Sequence, residues 1–200
     1  VSASFATIAP ETFRAFVAIE LPRELKRKCG ELRARLEPLL GRGSLRWVNI
    51  EQIHLTLSFL GEVQAAQTND LAEALRQTVA GTGAIPLRVV DLGFFPDARR
   101  PRVVWLGVAG DLERLHAMQA RVEAAVRRFS PESADKKFTA HITIGRVMRL
   151  SRADADALHR AADGMRGETM GEWNVENIHL FKSVLGPSGA KHEIVSSAPI

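Results

Sequence analysis

Two four-residue strings repeat one pattern of histidine, apolar, threonine, apolar: His54-Leu55-Thr56-Leu57 and His141-Ile142-Thr143-Ile144. Successive side chains of a strand point to opposite faces. Each string therefore presents an imidazole and a hydroxyl on one side and two aliphatics on the other. Imidazole changes charge near neutral pH. Of two facing rings, a neutral one can take a proton from attacking water while a protonated one gives a proton to a leaving oxygen. General acid–base steps of this kind are each worth about 10²–10⁴ in rate. Threonine hydroxyls can donate to non-bridging phosphoryl oxygens, where charge gathers. One such string alone reads as a strand histidine satisfied in or near a core; a matched pair fits proton transfer on either side of a phosphorus.

Other chemistries lack their residues. Zinc normally takes three or four protein ligands, and here the neighbour on the cleft face of each histidine is threonine. The chain has no Walker-type loop and no Gly-x-Ser-x-Gly elbow. Neither a metal nor a cofactor is expected. A phosphodiester with an internal leaving group, such as a strained ribose 2′,3′-cyclic phosphate, suits catalysis of this kind. Arg146 closes the second string and offers a fixed positive charge, but strict alternation sets it on the face opposite His141, so its reach into a cleft requires a bend.

The elements that must position these groups recur. A strand over about 13–20 leads through Pro22 into a helix with an apolar stripe of Leu25, Cys29, Leu32, Leu36 and Leu39. A short run around Trp47, the first histidine strand at 53–60, a helix at 65–80 and a strand at 85–95 follow. The second half repeats the order. It has a strand at 102–109, then a helix capped by Asp111 with the stripe Leu112, Leu115, Gln119, Val122, Val126 and Phe129. The second histidine strand (138–146), a helix capped by Ser151 and a strand at 172–184 come next. A final strand near 191–198 has no counterpart. The histidines stand 87 positions apart, which predicts two lobes about a pseudo-twofold axis with both histidines at their junction. Alternation groups Ile53, Leu55, Leu57 and Phe59 on one face and His54, Thr56 and Ser58 on the other. In the second strand Ile142 and Ile144 oppose His141, Thr143 and Gly145.

The remaining residues read more plainly. His116 and His159 are surface or structural, His179 faces solvent, and His192 is read as bland. Trp47 and Trp105 are assigned to the core. Arg99, Arg100 and Arg102 form a basic loop, and Lys136 and Lys137 lead into the second histidine strand; solvated loops are the simpler reading, RNA backbone contact the sharper one. With 200 residues, 46% hydrophobic and 25% charged, and a formal charge of +4, the composition is that of a globular protein with a mild bias toward polyanions. The single Cys29 excludes an intramolecular disulfide and fits a reducing, cytoplasmic setting, where it fills space in a helix stripe. No stretch is apolar enough to span a membrane, and the first residues have no secretory pattern. Residues 1–11 are expected to be a flexible segment before one domain over 12–200.

Five blocks carry a family resemblance: RAFVAIELP (14–22), WVNIEQIHLTLSFLGEV (47–63), FFPDARRPRVVWLGV (94–108), FTAHITIGRV (138–147) and VENIHLFKSVLGPSG (175–189). Over these the chain resembles the two-histidine (2H) phosphoesterases, and among them the RNA 2′,3′-cyclic phosphodiesterase, or 2′-5′ RNA ligase, family. The resemblance implies an α+β bilobal fold with two pseudo-symmetric antiparallel sheets lining a central cleft and helices packed outside. It implies metal-free opening of RNA or nucleoside 2′,3′-cyclic phosphates to 2′-phosphomonoesters, with reversible 2′-5′ joining of RNA ends; a monomer is expected. His54 would be the acid that protonates the departing O3′ and His141 the base that activates water. Thr56 and Thr143 would hold the phosphate, and Phe16 and Arg146 would flank the nucleobase. Ala140 and Val48-Asn49-Ile50 stand where relatives usually carry proline, and His192 where an aromatic, often tyrosine, is usual. Three alternatives stay open: ADP-ribose 1″,2″-cyclic phosphate as substrate, trimming of RNA 3′ ends, and a non-catalytic RNA-binding module.

Overall fold

A computed structural model describes residues 11–130, 138–186 and 189–200. Apart from Glu11, the expected flexible segment lies outside the described residues, as do Lys136 and Lys137. The elements run β1 (Thr12–Glu20), α1 (Arg23–Leu36), β2 (Leu45–Trp47), β3 (His54–Gln64), α2 (Thr68–Val79), β4 (Ile85–Phe95), β5 (Val103–Gly110), α3 (Leu112–Val126), β6 (His141–Val147), α4 (Arg152–Gly164), β7 (Thr169–Val175), β8 (Asn177–Gly186) and β9 (Gly189–Pro199). Short 3-10 turns close or open several of them. The stretch expected as one strand over 172–184 is two strands that part at Glu176.

The fold is α+β, with every strand pair antiparallel in the order β7-β4-β5-β6-β3-β1-β8-β9 and with β2 also on β6. The two lobe sheets meet where Leu55 of β3 pairs Ile142 of β6. The lobes are not the two sequence halves. β4 follows the first histidine strand but pairs β5 of the second half, and β8 reciprocates by pairing β1. β7 and β9 then sit at matching outer positions, so the last strand has a counterpart after all.

The helices exchange as well. Leu25 of α1 packs over Gly171 of β7, and Lys28 Nζ donates to Met170 O at 2.9 Å, so the first helix covers the second lobe. α2 packs on α3 and β9. The stripe predicted for α1 buries Leu25, Cys29, Leu32 and Leu36; that of α3 buries Leu115, Val122 and Val126, together with Met118, which the predicted stripe did not include. Burial pushes the Cys29 thiol up to about 11, in keeping with a space-filling role. Leu39 leaves its stripe and is 59% exposed, because Pro38 turns the chain into a 3-10 turn after Leu36. Among the described residues no helix is long and apolar enough to cross a membrane.

The Asp154 carboxylate ties a loop to a helix. It accepts from the amides of Gly41 (2.6 Å) and Ser151 (2.9 Å) and from the hydroxyls of Ser44 (2.9 Å) and Ser151 (2.8 Å). Ser151 Oγ in turn accepts from Asp154 N, completing a capping box at α4. The amide of Gly41 and these other donors hold the carboxyl well below the usual carboxylate range. The knot fixes the 41–44 loop that delivers β2 onto the edge of β6.

Candidate active site

Antiparallel register sets the four predicted groups around one point. With Leu55 opposite Ile142, His54 comes to face Thr143 and Thr56 to face His141, all on the side away from those two core residues. The histidines are then diagonal neighbours, about 7–8 Å apart at Cα. His54, Thr56, His141 and Thr143 are each half-buried, whereas Leu55 and Ile142 are fully buried.

Each imidazole is oriented by the same device. His54 Nδ1 lies 2.8 Å from Gln52 O and His141 Nδ1 2.7 Å from Thr139 O. A carbonyl only accepts, so both Nδ1 atoms carry hydrogen and both Nε2 atoms are left for chemistry. The turn that supplies Gln52 O is itself pinned. Asn49 Oδ1 accepts from Glu51 N at 3.0 Å, which does by hydrogen bond what a proline would do by its ring. The buried Lys26 Nζ donates to Glu51 O at 2.9 Å and pairs Glu20 at 2.7 Å.

Their surroundings differ. His54 stacks on Phe16 (ring centroids 4.7 Å, 26°), with Phe181 at 5.9 Å and the His192 ring at 5.4 Å, nearly perpendicular. Burial pushes its pKa down to about 4, outweighing the Gln52 carbonyl, and the nearby His192, Lys26 and His141 add to the depression. Among the described residues His141 makes T-shaped ring contacts, with Phe95 at 4.9 Å and Trp105 at 6.2 Å.

Three β-bulges decide which other side chains enter the cleft. On β3 the register slips past Leu57 and again past Leu60, and on β6 past Ile144. Each slip inserts a residue and reverses the alternation beyond it. The carbonyls involved have donors: Gln119 Nε2 reaches Leu57 O at 3.1 Å, Ser130 Oγ bonds Leu60 O, and Val48 N reaches Ile144 O at 2.9 Å. Gln119, the polar member of an apolar helix stripe, is thereby explained.

The bulges correct the expected faces. Ser58 turns inward, its hydroxyl buried with no partner among the described residues. Phe59 turns into the cleft and is 68% exposed. In β6 Gly145 turns inward against Leu45 and Trp47. Arg146 joins the face of His141 and Thr143, exposed; the bulge is the bend it required. Phe59 and Arg146 stand at equivalent positions of the repeat.

Phe16 reaches the site but offers no face to a base. It is 4% exposed, covered by His54 on one side and by Phe181 on the other (5.0 Å, 7°). His192, read as bland, packs its ring on Phe16 and His54, with Nδ1 buried and unpartnered among the described residues. Its position opposite an aromatic of the family pattern was the available signal. His179 faces Ser197 rather than open solvent, its Nδ1 2.8 Å from the hydroxyl, and burial lowers its pKa. Trp105 lines the second-lobe cleft, its ring lying across Gly93, where a Cβ would sit 2.3 Å from it. His159 bonds Ala98 O and His116 meets Phe138, both apart from the four central groups. Asp97 Oδ1 accepts from the amides of Arg99 and Arg100, which shapes their loop. Among the described residues no group of three or more His, Cys, Asp or Glu side chains gathers as metal ligands would.

Known proteins resemble this chain in sequence and in fold. The family model of LigT like Phosphoesterase fits residues 19–105 and again 106–192, the same step that separates the histidines. An RNA 2′,3′-cyclic phosphodiesterase of Thermotoga maritima is 33% identical over 185 residues, 91% of this chain and 92% of that protein. One of Archaeoglobus fulgidus is 33% identical over 180 residues, 88% and 94% respectively. Of solved structures, a Thermus thermophilus protein aligns with a TM-score of 0.75 at 26% identity, covering 93% of this chain and 97% of that one. E. coli LigT complexed with 3′-AMP reaches 0.75 at 23% identity, covering 95% and 99%, a likeness of fold. Two tandem matches that span both histidine strands, and relatives a third identical over about nine-tenths of its length, make this chain a member of the LigT-like, two-histidine phosphoesterase family.

Proposed function

We propose that this protein opens 2′,3′-cyclic phosphate ends of RNA or nucleotides to 2′-phosphomonoesters without a metal, and joins RNA ends reversibly through 2′-5′ linkages. One observation carries the reading: two imidazoles, each with Nδ1–H tied to the carbonyl two residues earlier, stand diagonally across two threonine hydroxyls. The relatives named RNA 2′,3′-cyclic phosphodiesterase supply the substrate class.

Thr56 and Thr143 hold the non-bridging oxygens of the cyclic phosphate. His141 Nε2 removes a proton from water, whose oxygen attacks phosphorus. The P–O3′ bond breaks as His54 Nε2–H delivers a proton to O3′, and the product is a 2′-phosphate beside a free 3′-hydroxyl. In the empty site burial keeps His54 neutral; the anionic phosphate favours its protonation, so substrate arrives together with a proton. The Arg146 guanidinium lies over the terminal base by cation–π attraction, and the open ring of Phe59, at the other end of the cleft, offers a face on which a base can stack. Phe16 supports His54 from behind. A monomer in the reducing cytoplasm is the expected setting.

The test is a nucleoside 2′,3′-cyclic phosphate incubated with protein in excess EDTA, with the product identified. A 2′-phosphate is expected. A 3′-phosphate, or turnover only with added divalent metal, would overturn the reading; opening of ADP-ribose 1″,2″-cyclic phosphate to an ADP-ribose phosphomonoester at a higher kcat/KM would reassign the substrate.

A further inference from the structure

β2 has three residues, and its middle one is an arginine placed where a sheet would avoid it. Arg46 pairs in register with Arg146 of β6. Like charges directly opposite on antiparallel strands destabilise the pairing. Leu45 and Trp47 point inward, where a Cβ on Gly145 would meet both, so Arg46 between them points to the cleft side with Arg146. Both arginines are exposed, and neither has an ion pair or side-chain hydrogen bond among the described residues. Arg102 joins the same corner: Val147 N donates to its carbonyl at 2.9 Å, and its side chain is exposed.

The backbone beneath Arg46 is held from several directions. Met148 N donates to Ser44 O at 2.9 Å, Val48 N to Ile144 O at 2.9 Å, and the Asp154 knot secures the loop that leads in. A braced frame thus sets two arginines at directly opposed positions of one strand pair, an arrangement that a bound anion would relieve. From Thr143 to Arg146 the bulge leaves two strand steps, about 7 Å along β6, so the pair lies roughly one nucleotide from the phosphate-holding threonines.

We propose that Arg46 is a phosphate site for the nucleotide that precedes the cyclic end, so the protein is built for the end of an RNA chain rather than for a free cyclic nucleotide. The inference rests on the proposed reaction at the histidine pair. Arg146 is occupied by the terminal base, and Arg46, directly across, takes the phosphodiester one step upstream. Arginine suits this role because its fork pairs two phosphate oxygens at once. Phosphate contacts carry no base information, so the preference is for chain length and not for sequence.

The experiment compares a nucleoside 2′,3′-cyclic phosphate with a triribonucleotide that ends in one, at several salt concentrations, for wild type, R46Q and R46K. Wild type has the higher kcat/KM for the trinucleotide. R46Q lowers the trinucleotide-to-mononucleotide ratio about tenfold and reduces the salt slope for the trinucleotide by about 0.7 to 1; R46K recovers part of both. An equal loss on the two substrates, or an unchanged ratio and slope, overturns the phosphate site. Failure of wild type to turn over either substrate is a separate outcome, and it removes the cyclic phosphodiesterase reading itself. Equal melting temperatures for the three proteins exclude a folding effect.

Discussion

The two histidine strands share a backbone plan and differ in what surrounds it. In both, Nδ1 binds the carbonyl two residues back, a threonine follows on the same face, and a bulge swings the fifth residue after the histidine into the cleft. The first lobe fills that last position with Phe59 and the second with Arg146. The first histidine lies against Phe16, Phe181 and His192, and burial keeps it neutral; the second makes T-shaped contacts with Phe95 and Trp105. Duplication thus accounts for placement, and divergence of neighbouring side chains gives the two imidazoles different surroundings. Two rings in identical surroundings would have no reason to take opposite proton roles.

The largest break in this comparison is removal of a ring. H54A and H141A should each lower kcat about 10²–10⁴-fold with the fold intact, as read from turnover and circular dichroism. Near-wild-type turnover in either variant would mean that the repeat is structural on that side.

A second asymmetry lies at the helices. α4 is capped through Ser151 and Asp154, while the equivalent α2 begins at Gln67 with no side-chain cap. D154N should therefore destabilise by about 2–4 kcal/mol at neutral pH, measured by urea unfolding, because donors that faced a buried carboxylate lose their acceptor. The folded-state pKa is depressed, so this contribution is present above about pH 4, the unfolded value, and fades as pH falls through the folded one. Wild type and D154N should converge in stability at low pH. A gap that stays constant from neutral to acid pH would contradict the carboxylate's role.

Phe59 against Arg146 is the next contrast. Phe59→Ala should raise KM about 5–100-fold with little change in kcat, from loss of base stacking, and Phe59→Trp should restore it. A fall confined to kcat would place the ring in the chemistry instead.

The smallest effect concerns His192. Followed by proton NMR in the free protein, His54 should titrate near pH 4 and move upward when inorganic phosphate binds. In His192→Phe the packing ring remains and the charge is gone, so the midpoint should rise yet stay below the ordinary histidine value of about 6.5, because burial is the larger cause. An unshifted midpoint would show that His192 contributes packing alone.

The paired strings, the helices and the repeat were legible because alternation and helical stripes are local patterns, and residues 53–57 and 141–144 obey them. The lobe exchange was not, since β4 and β8 obey the same pattern whichever neighbour they join. His192 read as bland because its contact with His54 depends on β9 lying three strands from β3, with β1 and β8 between them.

By itself the sequence determined which groups are proposed for the chemistry: two imidazoles and two hydroxyls on the polar faces of two strands, 87 residues apart. Only the tertiary structure decided which further side chains join them. A bulge is stabilised by donors from elsewhere in the chain, Gln119, Ser130 and Val48 here, and not by the strand's own residues. One inserted residue reverses a period of two. That is why Phe59 and Arg146 face the cleft and Ser58 the core, against the alternation that placed every residue before them.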